Sequence, residues 1–218
     1  MDSFIKLAGE RVHVADAERV SKDILEQLPQ GRDQWNLLRQ LAVYCWEEGH
    51  FDASCTYLRQ ILSVAYDPSV KADCYLKLGQ VQEAINDYSG ALQSYEEAFT
   101  LDPGRGDTWY FLHNNLGFCL NQLRRHGEAE TYCRGAIEIY GDRYNAYKNL
   151  GVALQGQGKY PEAAACFIRA ALIFPLDPWS FGHLEELMRD HREEVEREVP
   201  DIEEHLAAAI EARHKMMQ

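Results

Sequence analysis

Between Tyr144 and Asp177, eight residues stand at spacings that constrain this chain more than any other feature. Tyr147, Leu150, Gly151, Leu154, Ala163, Phe167, Ala170 and Pro175 occupy internal positions 4, 7, 8, 11, 20, 24, 27 and 32 of that stretch. The same arrangement recurs upstream. Residues 110–143 carry His113, Leu116, Gly117, Leu120, Ala129, Cys133 and Ala136 in register, and Gly117 lies 34 residues before Gly151. Residues 72–105 carry Tyr75, Leu78, Gly79, Ala91, Tyr95, Ala98 and Pro103. A weaker copy at 35–68 has Leu38, Leu41, Ala42, Cys45, Ser54, Leu58 and Ile61. Position 17 holds Phe51, Tyr88, His126 and Tyr160, a ring in every copy.

This pattern resembles the tetratricopeptide repeat, a helix–turn–helix unit of about 34 residues. In that reading the large residues fill the gap between two helices, and the small ones at 8, 20 and 27 sit where the backbones approach most closely. Proline at 32 ends the second helix because it has no N–H to donate. The resemblance implies an all-α fold, a right-handed solenoid of four helix-turn-helix repeats at 35–68, 72–105, 110–143 and 144–177. An N-terminal capping helix is expected within 1–34, from the stripe Val14, Ala17, Val20, Ile24 and Leu28. After Pro178 the repeat pattern fades, and Phe181, Leu184, Leu187, Met188 and then Ile202, Leu206, Ala209 predict capping helices over 178–218. A solenoid end needs such a cover.

Charge removes several classes of function. The formal net charge is −13, from 35 acidic and 22 basic residues, where a nucleic-acid binder needs a basic footprint and an anionic membrane surface attracts basic segments. The acidity is concentrated at 72–109 and 178–218, and 110–177 is near neutral. No run of about 20 apolar residues predicts a membrane span. The N-terminal MDSFIKLAGERVHV lacks a secretory pattern, so a cytoplasmic protein with reduced thiols is expected. Its six cysteines form no C-x-x-C pair, and neither a metal nor another cofactor is called for.

Catalytic signatures are missing: the sequence has no G-x-S-x-G, no Gly-rich phosphate loop and no H-E-x-x-H. Glu211 and His214 make a single E-x-x-H, where a di-iron bundle needs two. His113 with Cys133 is too few ligands for a zinc site, and His113 reads as an interior residue with one ring nitrogen bonded. The Arg-Gly-Asp tripeptide at 105–107 reads as a turn, with Asp107 as a helix N-cap. No catalytic residue is assigned.

The resemblance implies instead a groove lined by positions 2, 5, 6, 9, 12 and 13 of each first helix, which takes a peptide or helical segment of a protein partner. Arg39 and Lys77 supply cations in the first two repeats. Phe111, Asn114, Asn115 and Phe118 line the third, and Asn145, Lys148 and Asn149 the fourth. Asn is a poor interior helix former, so this run of amides needs contact with a partner or with a neighbouring helix. Asn115 and Asn149 share position 6 and are expected to open into the groove. The lysine-and-asparagine clamp that co-chaperones of this family use for C-terminal carboxylates is absent, since Val43 and Phe111 occupy two of its positions. The function expected is thus a non-enzymatic interaction adaptor; the alternative is a self-associating, homo-oligomeric scaffold that uses its ends or C-terminal helices.

Overall fold

The computed structural model describes Arg19, Lys22, residues 31–101 and residues 106–217. The expected N-terminal helix lies outside these residues apart from Arg19 and Lys22, which are helical, as do Gly104 and Arg105 of the Arg-Gly-Asp turn. All regular structure among the described residues is helical. The order is α1 (Arg32–Glu47), α2 (Phe51–Val64), α3 (Pro68–Ala84), α4 (Tyr88–Thr100), α5 (Asp107–Gln122), α6 (His126–Ile139), α7 (Tyr144–Gln155), α8 (Tyr160–Ile173), α9 (Pro178–Asp190), α10 (Arg192–Glu198) and α11 (Ile202–Met216). The chain divides into two compact units, Met1–Asp102 and Pro103–Gln218, where the repeats alone suggested one continuous array.

Four helix pairs follow one local plan. The second helix of each pair begins on the ring at position 17: Phe51, Tyr88, His126 or Tyr160. Two residues earlier, at position 15, the backbone is left-handed in every pair, at Gly49 (φ 80), Asn86 (φ 61), Arg124 (φ 58) and Gly158 (φ 76). The next N–H, at position 16, then reaches back to the carbonyl of position 11: His50 to Cys45, Asp87 to Gln82, Arg125 to Leu120 and Lys159 to Leu154, all at 2.7–3.0 Å. These bonds satisfy carbonyls that the helix end would otherwise leave open. Asp67, Asp87 and Asp177 cap α3, α4 and α9 through the N–H groups of Ser69, Gly90 and Ser180.

Close approach within each pair is set by position 8. A Cβ added to Gly79 would lie 2.4 Å from the Tyr95 ring, one on Gly117 2.4 Å from the Cys133 sulfur, and one on Gly151 2.6 Å from the Phe167 ring. Position 8 therefore faces position 24, and for Gly151 the first obstacle is the Phe167 ring. In the first pair, Ser54 at position 20 donates its hydroxyl to the Ala42 carbonyl at 2.7 Å. Gln82, the unusual polar residue at position 11, is buried, and its side-chain amide lies 2.6 Å from the Ser94 hydroxyl.

Each unit has its own core. In the first, Leu38, Cys55, Leu58, Ile61, Leu78 and Val81 pack together. In the second, Leu150, Leu154 and Phe167 join Leu184, Leu187, Val195 and Ile202, so α9, α10 and the start of α11 cover the fourth repeat. Five cysteines are buried and Cys166 is half-buried, all as free thiols. Burial pushes Cys74 up to about 12 and Cys166 up to about 11.

A charged clasp ties α6 to the α7–α8 turn. Glu130 accepts from Lys159 Nζ at 2.8 Å, Gln157 Nε2 at 2.9 Å and Arg134 Nε at 2.9 Å. Lys159 foremost, then Gln157 and Arg134, hold its carboxyl at about 2 against an ordinary 4.5. A depressed folded-state pKa gives stability that is present above the unfolded value and lost as pH falls through the folded one. The Glu130→Gln variant is therefore expected to melt below the wild type at pH 7, the gap closing as pH falls from about 4.5 to about 2; thermal melts across that range check it.

Overpacking gives a second test. Gly151→Leu must displace the Phe167 ring and is expected to cost about 1–3 kcal/mol or more. Gly182→Ala, in α9 with nothing within 4 Å of the added carbon, is expected to gain roughly 0.5–1 kcal/mol of stability. Denaturant melts of the two variants separate the cases.

Candidate functional site

In the unit Met1–Asp102, Arg39, Gln40, Val43, Tyr44, Glu47, Asp73 and Lys77 line an open depression of about 350 Å³ between α1 and α3. All but Tyr44 are positions named from the sequence as groove-lining. Helical spacing explains the grouping: residues 39, 40, 43, 44 and 47 fall on one face of α1, opposite the stripe of Leu38, Ala42 and Cys45 that packs on α2. Arg39 Nη1 meets Asp73 Oδ2 at 3.4 Å, both about half exposed, a pairing worth little in solvent. Lys77 Nζ donates to Gln80 Oε1 at 3.3 Å. Two cations and two carboxylates thus stand around an apolar patch made by Val43 and Tyr44.

In the unit Pro103–Gln218 the amides behave differently. Asn149 is buried at 6% exposure, and Asn114 is buried too. Asn149 Nδ2 donates to Asn114 Oδ1 at 3.1 Å, and Asn114 Nδ2 donates to Asn115 Oδ1 at 3.1 Å. Asn121 Nδ2 donates to the Asn149 carbonyl at 2.8 Å, and its Oδ1 accepts from His126 Nδ1 at 3.1 Å. That last bond fixes the proton on Nδ1, because the amide oxygen can only accept. These bonds join α5 to α7 and α5 to the start of α6. The expectation that Asn149 opens into a groove is therefore corrected: it is buried and pairs with the preceding repeat. Asn115 is half-buried and linked to Asn114, and Asn145 and Phe118 are half-buried.

Lys148, expected as a groove cation, points to Asp177 at 3.8 Å and lies 5.2 Å from the Tyr144 ring centroid. Asp177 is the N-cap of α9, so this cation serves the junction between the fourth repeat and its cover. Asp107 is also corrected. It is the first residue of α5, after Gly106 (φ 123), makes no capping bond and pairs with Arg143. That guanidinium stands 4.7 Å from the Tyr110 ring centroid, 4.6 Å from Tyr140 and 5.6 Å from Phe111. Phe111 keeps 38% of its surface exposed beside it. Burial pushes the Tyr110 phenol up to about 12, against the opposing pull of Arg143. This aromatic and cationic corner went unread in the sequence because Arg143 precedes its helix and belongs to no lining position. His113 is half-buried, with Nδ1 bonded to the Trp109 carbonyl at 2.9 Å, as expected.

Among the described residues no three His, Cys, Asp or Glu side chains are grouped to hold a metal, and no helix is long and apolar enough to cross a membrane.

The buried amide bridge makes a test. Asn149→Ala is expected to cost about 1–3 kcal/mol, because Asn114 loses its partner inside the interface. Asn145→Ala is expected to shift stability by about 0.5 kcal/mol or less. Equilibrium unfolding of both variants checks the contrast.

Comparison with known proteins agrees with this geometry. Two profiles described as tetratricopeptide repeat match residues 71–105 and 111–174. Human tetratricopeptide repeat protein 7A is 27% identical over 169 residues, covering 75% of this chain but 19% of the relative. The chain thus spans about a fifth of that protein's length. Among solved structures, MamA from Desulfovibrio magneticus RS-1 superposes with a TM-score of 0.67 at 17% identity, covering 84% of this chain and 97% of the other. YrrB, described as a TPR protein with an unusual peptide-binding site, superposes at 0.63 with 20% identity, covering 90% and 94%. At these identities the likeness is one of fold.

Proposed function

Because the chain belongs to the tetratricopeptide repeat family, we propose that it is a non-enzymatic cytoplasmic adaptor that holds a segment of a partner protein against the first helices of its repeats. The observation that carries this reading is the depression between α1 and α3. Six of the seven side chains around it stand at the positions that line grooves in this family, and its volume of about 350 Å³ lies in the range of pockets that accept a ligand group. Val43 and Tyr44 offer apolar cover, while Arg39 and Lys77 offer hydrogen-bond donors to backbone carbonyls or a carboxylate. In the second unit, taken by itself, the exposed Phe111 and the half-buried Phe118, Asn115 and Asn145 are the lining this reading assigns. Asn114, Asn149 and Lys148 support it from behind by fixing α7 against α5 and α9.

Two features favour binding over catalysis. The thiols of Cys55, Cys74, Cys133 and Cys166 are all pushed up by burial, which keeps them protonated and poor as nucleophiles at neutral pH. In the depression Arg39 pairs with Asp73 and Lys77 with the Gln80 amide, contacts suited to holding a ligand in place. The peptide-binding site attributed to YrrB belongs to the same class of activity.

The test is quantitative capture from a lysate of the source cells by the full chain and by an Arg39→Glu/Lys77→Glu variant with an unchanged melting temperature. The variant is expected to retain roughly a tenth or less of the captured partner. Equal capture overturns the groove assignment. A chain that captures only itself, with a doubled mass in sedimentation, favours the self-associating scaffold.

A further inference from the structure

Helices α9 and α11 leave between them an open groove of about 700 Å³, the larger of the cavities described. Its floor is apolar. Phe181, Leu184 and Met188 come from α9, and Leu206, Ile210 and Met217 from α11 and its end. Ile210 is 41% exposed and Met217 69% exposed, so the seam between the two helices is unfilled. Phe181, Leu184 and Met188 are themselves only 1–7% exposed, so the apolar surface the groove offers comes from the α11 side, Ile210, Met217 and the half-buried Leu206.

Charge says what docks. After Asp177 the sequence has eleven Asp and Glu against five Arg and Lys. Three of those five cations, Arg189, Arg192 and Arg213, line the groove, together with His214; of the eleven carboxylates only Glu185 does. The most acidic segment of the chain thus turns its positive charge to this seam. Arg213 lies 4.7 Å from the Phe181 ring centroid and pairs with no carboxylate of the described residues. Arg189 bonds Asp190 at 2.7 and 2.8 Å, and Arg192 bonds Glu196 and Glu203 at 2.8 and 2.7 Å. Those four carboxylate contacts involve side chains 40–71% exposed. Such pairs contribute little and exchange readily with an incoming carboxylate.

We propose that this groove binds an acidic amphipathic helix of a partner protein. Its apolar side chains, three and four residues apart, enter the seam over Leu184, Met188 and Ile210, and the carboxylates on its flanks meet Arg189, Arg192 and Arg213. Seams between two packed helices accept a third helix in this way. The site lies wholly within the second unit and shares no residue with the depression between α1 and α3, so the two assignments stand or fall separately.

The experiment uses the full chain and two fluorescein-labelled synthetic helices of about 18 residues, long enough for five turns. Both carry one leucine stripe; one is flanked by Glu, the other by Lys. Fluorescence anisotropy is read at about 50 mM and about 300 mM salt, a range over which screening of exposed charges rises steeply. The Glu peptide is expected to bind at least about tenfold more tightly than the Lys peptide, and to weaken with salt. Arg213→Glu and, separately, the Arg189→Glu/Arg192→Glu pair are each expected to weaken it about tenfold with an unchanged melting temperature, whereas Arg39→Glu/Lys77→Glu leaves it unaltered. Equal affinity for the two peptides, or no binding of either, overturns the proposal. So does a dimer of the chain in sedimentation that dissociates in the Arg213→Glu variant, since the groove then takes a second copy.

Discussion

The close approach of two helix backbones at position 8 is the constraint on which the rest of this structure depends. Gly79, Gly117 and Gly151 leave room for Tyr95, Cys133 and Phe167 to lie directly against the helix backbone. A larger residue there would push the helices apart and break the stripe of large residues on either side of it. The left-handed residue at position 15 serves the same end by folding the second helix back within two residues. Only two of the four positions use glycine. Asn86 tolerates the conformation through its short polar side chain, and Arg124 holds it at a strain the surrounding bonds must offset. Because the packing face is fully committed to this contact, the opposite face of each first helix is left available, and that is where the depression between α1 and α3 forms.

How much of this was legible in the sequence depends on the kind of contact involved. Pairing within a repeat was legible, since a spacing of 3 and 4 identifies the buried stripe and a repeated Gly identifies the close approach. Contacts between successive first helices were less so. Asn114 and Asn149 sit at the edge between the lining face and the face turned to the neighbouring repeat, and a helical wheel does not separate those two. Their being Asn was the available signal, since a buried amide in a helix asks for a partner, and the partner is the next repeat's amide. Lys148 was misread for a related reason: Asp177, which draws it away, caps a helix beyond the last repeat. Arg39 and Lys77 both border the depression between α1 and α3.

The C-terminal helices were foreseen as a cover for the fourth repeat, from Phe181, Leu184 and Met188. Their second face was not, because no repeat register extends past Pro178 to say which side of α11 is used. Net charge does not show this sorting. Residues 178–218 are strongly acidic in total, yet Arg189, Arg192 and Arg213 line one seam. Totals over a segment conceal such sorting, which appears only once the helices fix which side chains are neighbours.

The distribution of thiols has a consequence of another sort. Cys45 and Cys55 belong to the first repeat, Cys74 to the second, Cys119 and Cys133 to the third and Cys166 to the fourth, and all but Cys166 are fully enclosed. A buried thiol meets an alkylating reagent only when its own helix pair opens. Where repeats lean mainly on their neighbours within a unit, opening free energies differ from pair to pair. The chain thus carries a buried native reporter in each of its first three repeats, while Cys166 in the fourth is half-buried. Labelling rates resolved by residue would trace where the array loosens first, without a substitution anywhere in the sequence.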